Sequence, residues 1–196
     1  MFKELCRLAP DRIMVDKSPP NSFPNKVGLI LEAFPDAKYL HISRHPTAMA
    51  RSRHNASEGA ARTFRTNNHE DIWKACHRGG LKVAEAVRPD QYMFLHGEWF
   101  FEDPAFVLRQ ICDWLEISTA PEAIEAMLRP EDSPFACVGP GNAKYGNNPG
   151  WIENPHLRTG VLPKENMDAP LDFLGTEDVY LSTEVKAMAH ILGYST

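Results

Sequence analysis

Short apolar runs alternate with helix-period segments through the first half of the chain, and this alternation restricts the fold more than any single motif. Residues 12–17, RIMVDK, form an apolar run that ends on charge and read as a buried strand. Ser22 is placed to cap a helix with Pro24 in its first turn. Val27, Ile30, Leu31 and Phe34 then fall at i, i+3, i+4 and i+7 on one helical face. Phe34-Pro35-Asp36 stops that helix, and residues 38–43, KYLHIS, read as a second strand. Pro46 opens another helix that runs through Arg51 and Ser52. A strand–helix–strand–helix order predicts a βαβ unit, hence an α/β fold with a parallel sheet and helices on both faces.

Farther along, residues 57–68 are polar, contain Gly59 and read as a loop. A helix is predicted from Asn68 or Asp71, carrying Ile72, Cys76, Val83 and Val87, with Gly79-Gly80 weakening its middle. Residues 91–96, QYMFLH, are a third strand candidate. Asp103-Pro104 starts a helix striped by Val107, Leu108, Ile111 and Leu115. Residues 130–164 hold many Pro, Gly and Asn without sustained period and read as a long irregular segment. Ser182 caps a final helix with Val185, Met188, Ala189 and Leu192 on one face and Gly193 as its stop. No repeat or internal boundary interrupts residues 1–196, which read as a single domain.

Composition narrows the function. The 196 residues are 43% hydrophobic with mixed charge, which supports one packed core rather than disorder. With 21 Lys and Arg against 26 Asp and Glu the net charge is −5, so a general nucleic-acid binder is not expected. No run of apolar residues is long enough to span a membrane. The opening MFKELCRLAPDR lacks the apolar centre of a signal peptide, and a cytoplasmic protein is expected. Cys6, Cys76, Cys112 and Cys137 form no C-x-x-C pair and read as free thiols. The eight histidines include no H-E-x-x-H, and adjacent Cys76 and His77 on a helix point about 100° apart. No metal is expected.

Chemistry concentrates at two predicted strand ends, Asp16-Lys17-Ser18-Pro19 and Ser43-Arg44-His45-Pro46. Ligands of open parallel sheets sit beyond the carboxyl ends of the strands. Lys17 and Arg44 would converge there, beside the N-terminus of the helix opened by Pro46, whose unpaired amides favour an anion. Ser52, eight residues after Arg44, leans back toward that end and could share the anion. The competing reading is a surface salt bridge at Arg44 and an incidental helix serine at Ser52.

The stretch VDKSPPNSFPNKVGLILEAFPDAKYLHISRHPTAMARS resembles the central segment of sulfotransferases that use 3′-phosphoadenosine 5′-phosphosulfate. It is most similar to the bacterial group that includes domains embedded in polyketide synthases, with their D-K-[ST]-P strand end and F-P-x-A-[KR]-[YF]-[IL]-H-x-x-R-x-P stretch. Asp71-Ile72-Trp73 with His77, the segment FLHGEWFFEDPAFVLRQICDWLEI and the C-terminal LGY extend the likeness. The resemblance implies a nucleotide-kinase-like α/β fold and sulfuryl transfer to a hydroxyl or amine on a small-molecule or carrier-bound acceptor. It further implies that Arg44 and Ser52 bind the nucleotide 3′-phosphate and that Lys17 lies near the transferred sulfuryl group. Leu157-Arg158-Thr159-Gly160 is similar to a late R-x-G element, which would bring Arg158 to the same phosphate.

Two departures stand out. Gly97, beside Glu98, replaces the usual tyrosine before the acidic residue, which leaves Glu98 as a structural anchor. Nothing before Lys17 fits the opening P-K-[SA]-G-[ST]-T loop of the family, and Gly139, Gly141, Gly146 and Gly150 do not replace it. The expectation is therefore an N-terminally truncated sulfotransferase fold that self-associates through an exposed sheet edge. The alternatives are an inactive remnant or subunit of the family and an ATP-using phosphoryl transferase of related fold.

Overall fold

The computed structural model describes Arg7 and residues 13–17, 24–58, 69–132, 157, 159–160, 162–175 and 178–195. In chain order these form α1 (Pro24–Ala33), β1 (Tyr39–Ser43), α2 (Pro46–Glu58), α3 (His69–Ala86), β2 (Tyr92–His96), α4 (Gly97–Glu102), α5 (Pro104–Leu115), α6 (Pro121–Leu128) and α7 (Thr183–Ile191). Single 3-10 turns lie at Pro89–Gln91, Pro130–Asp132 and Asp172–Leu174.

Strands β1 and β2 pair in parallel, with Tyr39 opposite Tyr92 and Ser43 opposite His96. The α2–α3 crossover joins them, so the α/β, parallel-sheet expectation holds and both carboxyl ends lie side by side. The parallel pair is built from the runs at 38–43 and 91–96, not from 12–17 and 38–43. Residues 13–17 have no regular structure, and Ile13 and Val15 are 53% and 75% exposed. Apolar composition gives a segment a reason to be buried, but a strand also needs a hydrogen-bonding neighbour. Among the described residues none pairs with 13–17.

Helices begin where Pro46, Asp103-Pro104 and Ser182 were expected to start them, while Ser22, the expected cap of α1, lies outside the described residues. Val27 is the buried centre of the α1 stripe, and α1 packs on α3. The Asp103 carboxylate accepts the Phe106 amide at 3.0 Å and caps α5, whose Val107 and Cys112 are buried. The Ser182 hydroxyl accepts from the Val185 amide at 3.3 Å and caps α7. Residues 57 and 58, predicted as loop, belong instead to the last turn of α2. Residues 162–164 are irregular as expected, and the chain after them returns to the core. Met167, Leu171, Leu181, Val185, Met188, Ala189 and Leu192 pack there with Trp73 and Tyr194, and Phe94 of β2 rests against them.

Gly79-Gly80 does not break α3, and its role is spatial. A Cβ on Gly80 would sit 2.4 Å from both Cε1 and Nδ1 of His41. The His41 ring is fixed at each nitrogen, with Nδ1 2.6 Å from the Tyr92 hydroxyl and Nε2 2.7 Å from His77 Nδ1. Burial lowers the pKa of His41 to about 4. Burial, then the His41 charge, lowers that of His77 to about 3. Both imidazoles are therefore neutral parts of the core at neutral pH.

Cys76 and Cys112 are free thiols, as expected, while Cys6 and Cys137 lie outside the described residues. Among the described residues no group of His, Cys, Asp and Glu is arranged to hold a metal ion, and no helix is long and apolar enough to cross a membrane.

Candidate functional site

The site grows from the turn that follows β1. Ser43 ends the strand, Arg44 and His45 form the turn, and Pro46 starts α2, where its missing N–H costs nothing. His45 occupies the cap position, and its Nδ1 accepts from the Thr47 amide at 3.3 Å. That bond puts the proton of the neutral imidazole on Nε2. Desolvation lowers the His45 pKa, opposed by the charges of Glu165 and Glu98 and reinforced by Arg51.

Glu98, in the first turn of α4, reaches across from the end of β2. Its Oε1 accepts the His45 amide at 2.7 Å, and its Oε2 accepts the Tyr194 hydroxyl at 3.0 Å. The Ser43 hydroxyl lies 2.7 Å from the same Tyr194 oxygen. The structure thus makes Glu98 the anchor expected from its sequence setting. Gly97 explains how the two strand ends approach so closely. A Cβ there would meet the Ser43 carbonyl oxygen at 2.9 Å, so no larger residue fits this backbone.

Three polar atoms at this turn are buried without a hydrogen-bond partner: Arg44 Nε, His45 Nε2 and Thr47 Oγ1. A buried donor left unpaired costs about 1–3 kcal/mol. Three within four residues, at the positive end of a 13-residue helix, is a concentration of uncommitted donors. Arg44 forms no salt bridge with a described residue, and its carbonyl accepts from Trp73 Nε1 at 2.9 Å, which ties the turn to α3. Arg51, seven residues farther on, is committed. Its guanidinium grips Glu165 through two bonds of 2.5 and 3.0 Å and lies over the Phe173 ring. Of these two arginines, Arg44 is the one with charge to offer a ligand.

Of the residues singled out from sequence, Arg44 and Ser52 share the β1–α2 unit, with no hydrogen bond between them. Ser52 is exposed in the second turn of α2. Lys17 is exposed at the end of the irregular 13–17 segment rather than at a strand end. Arg158 lies outside the described residues, as do Trp151 and Gly139, Gly141, Gly146 and Gly150. Two residues after Arg158, Gly160 donates its amide to the Phe101 carbonyl of α4 at 3.0 Å. Sequence reasoning missed His45 and Thr47, although cap and second position of a proline-started helix are where free donors collect. It also missed the Ser43–Tyr194 link, which no local pattern announces.

Comparison with known proteins supplies the family. A search of curated proteins finds no match. The chain matches the solved "Sulfotransferase Domain from the Curacin Biosynthetic Pathway" with a TM-score of 0.73 and 20% identity, over 99% of this chain and 67% of that one. It also matches the "Sulfotransferase Domain from the Synechococcus PCC 7002 Olefin Synthase", with a TM-score of 0.69 and 24% identity, over 100% of this chain and 63% of that one. The chain therefore spans about two thirds of the length of these two structures, and likeness at such identity shows the fold. The family model described as "Sulfotransferase family" matches residues 2–121, more than half of the sequence. The parallel sheet, the donor-rich turn after β1 and this match agree: the chain belongs to the sulfotransferase family.

Proposed function

We propose that the protein transfers a sulfuryl group from 3′-phosphoadenosine 5′-phosphosulfate to a hydroxyl or amine of a small-molecule or carrier-bound acceptor. The observation that carries this reading is the group of unpartnered donors at Arg44, His45 and Thr47, held at a helix N-terminus beyond the carboxyl end of a parallel strand. Such a place favours a phosphate. In this reading Arg44 holds the nucleotide 3′-phosphate by a charge-assisted bond, and Ser52 adds its hydroxyl from the next turns of α2. Arg158, by its likeness to the late R-x-G element, is assigned to the same phosphate.

Lys17 is assigned to the reacting end. The acceptor oxygen or nitrogen bonds to sulfur and gives up its proton while the bond from sulfur to the 5′-phosphate oxygen breaks, and adenosine 3′,5′-bisphosphate leaves. A positioned ammonium stabilises the negative charge that builds on the departing oxygen, as positioned cations do in phosphoryl transfer. The test is a transfer assay with the labelled phosphosulfate donor and a panel of phenols, alcohols and amines. Labelled acceptor appearing with the phosphosulfate donor, and Lys17→Ala slowing turnover more than it weakens nucleotide binding, supports the assignment. Transfer from ATP instead contradicts it.

A further inference from the structure

Tyr194 sits at the far end of the chain, yet it closes the network that holds the turn at Arg44. Its position follows from the end of α7. Gly193 has a φ of 85°, the left-handed conformation that glycine adopts without penalty. Its amide donates to His190 at 3.0 Å and the Tyr194 amide donates to Ala189 at 3.0 Å, the paired bonds of a Schellman end. The chain therefore reverses into the core instead of running on. Tyr194, 8% exposed, stacks on His96 with centroids 4.3 Å apart and meets the His45 ring edge-on at 5.3 Å.

The hydroxyl then works in one direction. It donates to Glu98 Oε2, so the bond of 2.7 Å to Ser43 is one in which Ser43 donates and Tyr194 accepts. Glu98 in turn accepts the His45 amide through its other oxygen. Residues on both sides of Arg44, Ser43 before and His45 after, are thereby fixed to a single phenol–carboxylate pair. The pair also keeps both oxygens of the Glu98 carboxylate engaged.

Resting on the reading of Arg44 as the 3′-phosphate ligand, we propose that Tyr194, acting through Glu98 and Ser43, is a positioning residue for Arg44. The phenol fixes the arginine from outside the site and does not itself touch the nucleotide. Loss of the hydroxyl frees one oxygen of Glu98 and the Ser43 hydroxyl, and Arg44 loses its fixed direction toward the phosphate.

The experiment measures calorimetric affinities of adenosine 3′,5′-bisphosphate and of AMP, which lacks the 3′-phosphate, for the full chain and its variants. Tyr194→Phe is expected to weaken the bisphosphate about fivefold to thirtyfold while leaving AMP within about twofold. Glu98→Gln, which keeps the shape but cannot serve both donors, is expected to show the same selective loss, so the test does not depend on one variant folding. In an Arg44→Ala background, Tyr194→Phe is expected to cause no further loss of bisphosphate affinity. Equal weakening of both nucleotides, additive losses in the double variant, or unchanged bisphosphate affinity in Tyr194→Phe and Glu98→Gln overturns the positioning role. Unchanged bisphosphate affinity in Arg44→Ala overturns the phosphate reading itself.

Discussion

Gly80→Ala sets helix propensity against packing, and the structure decides the sign. An exposed mid-helix glycine replaced by alanine gains about 1 kcal/mol. At Gly80 the new methyl would lie 2.4 Å from two atoms of the His41 ring and 2.8 Å from a third. A free ring would swing aside at small cost. This one is bonded at Nδ1 to Tyr92 and at Nε2 to His77, so moving it breaks two partly buried hydrogen bonds. Overpacking costs about 1–3 kcal/mol, and each buried group left unpaired adds about 1–3 kcal/mol. Set against the propensity gain, a net loss of about 2–4 kcal/mol is expected. For a domain of this size that lowers Tm by about 5–15 °C. Urea denaturation and calorimetry on Gly80→Ala measure it, with the same change repeated in a His41→Ala background, where the obstruction is gone. A Gly80→Ala protein as stable as the parent, or an equal loss in both backgrounds, would refute the packing argument.

The histidine pair also predicts a pH dependence. His41 and His77 have folded pKa values lowered to about 4 and about 3, so below the ordinary value near 6.5 the unfolded chain binds protons first. Stability is expected to fall as pH drops from about 6.5 toward those values, by at most about 1.4 kcal/mol per pH unit for each histidine. Urea midpoints that do not change between pH 7 and 5 would contradict this. Gly97→Ala, 2.9 Å from the Ser43 carbonyl oxygen, is expected to cost about 1–3 kcal/mol; an unchanged Tm would show that the two strand ends part easily. Leu40 and Ile42 remain 37% and 57% exposed on one face of the sheet that β1 and β2 form among the described residues. Sedimentation is expected to show concentration-dependent association that the double change Leu40→Lys, Ile42→Lys removes, and a monomer at every concentration would count against it.

How far the sequence reaches depends on whether a feature is local. Pro46 after a strand, Asp103-Pro104 and Ser182 each specify a helix start through their own neighbours, and all three helices begin there. The strands at 38–43 and 91–96 announce themselves through β-branched and aromatic residues, but their pairing is a long-range choice. The run at 12–17 has the same local signal, and Ile13 and Val15 are exposed. Arg44 stood out as a candidate because strand end, cation and helix start fall within four residues. The spatial role of Gly80 was not legible because its reason lies 39 positions away in His41, and Tyr194 is joined to Ser43 across 151 positions. Contacts of that separation follow from the fold and leave no periodicity behind.

The central claim is that the uncommitted guanidinium after β1 binds the 3′-phosphate of the sulfuryl donor. Isothermal titration of adenosine 3′,5′-bisphosphate into the chain and into Arg44→Ala tests it directly. Removing one member of a desolvated charge pair costs about 2–5 kcal/mol, whereas Ser52→Ala should cost about 1 kcal/mol, the worth of one hydrogen bond. The account predicts a large loss at Arg44, a smaller one at Ser52 and little change in AMP binding for either. Affinity for the bisphosphate that survives Arg44→Ala unchanged would contradict it.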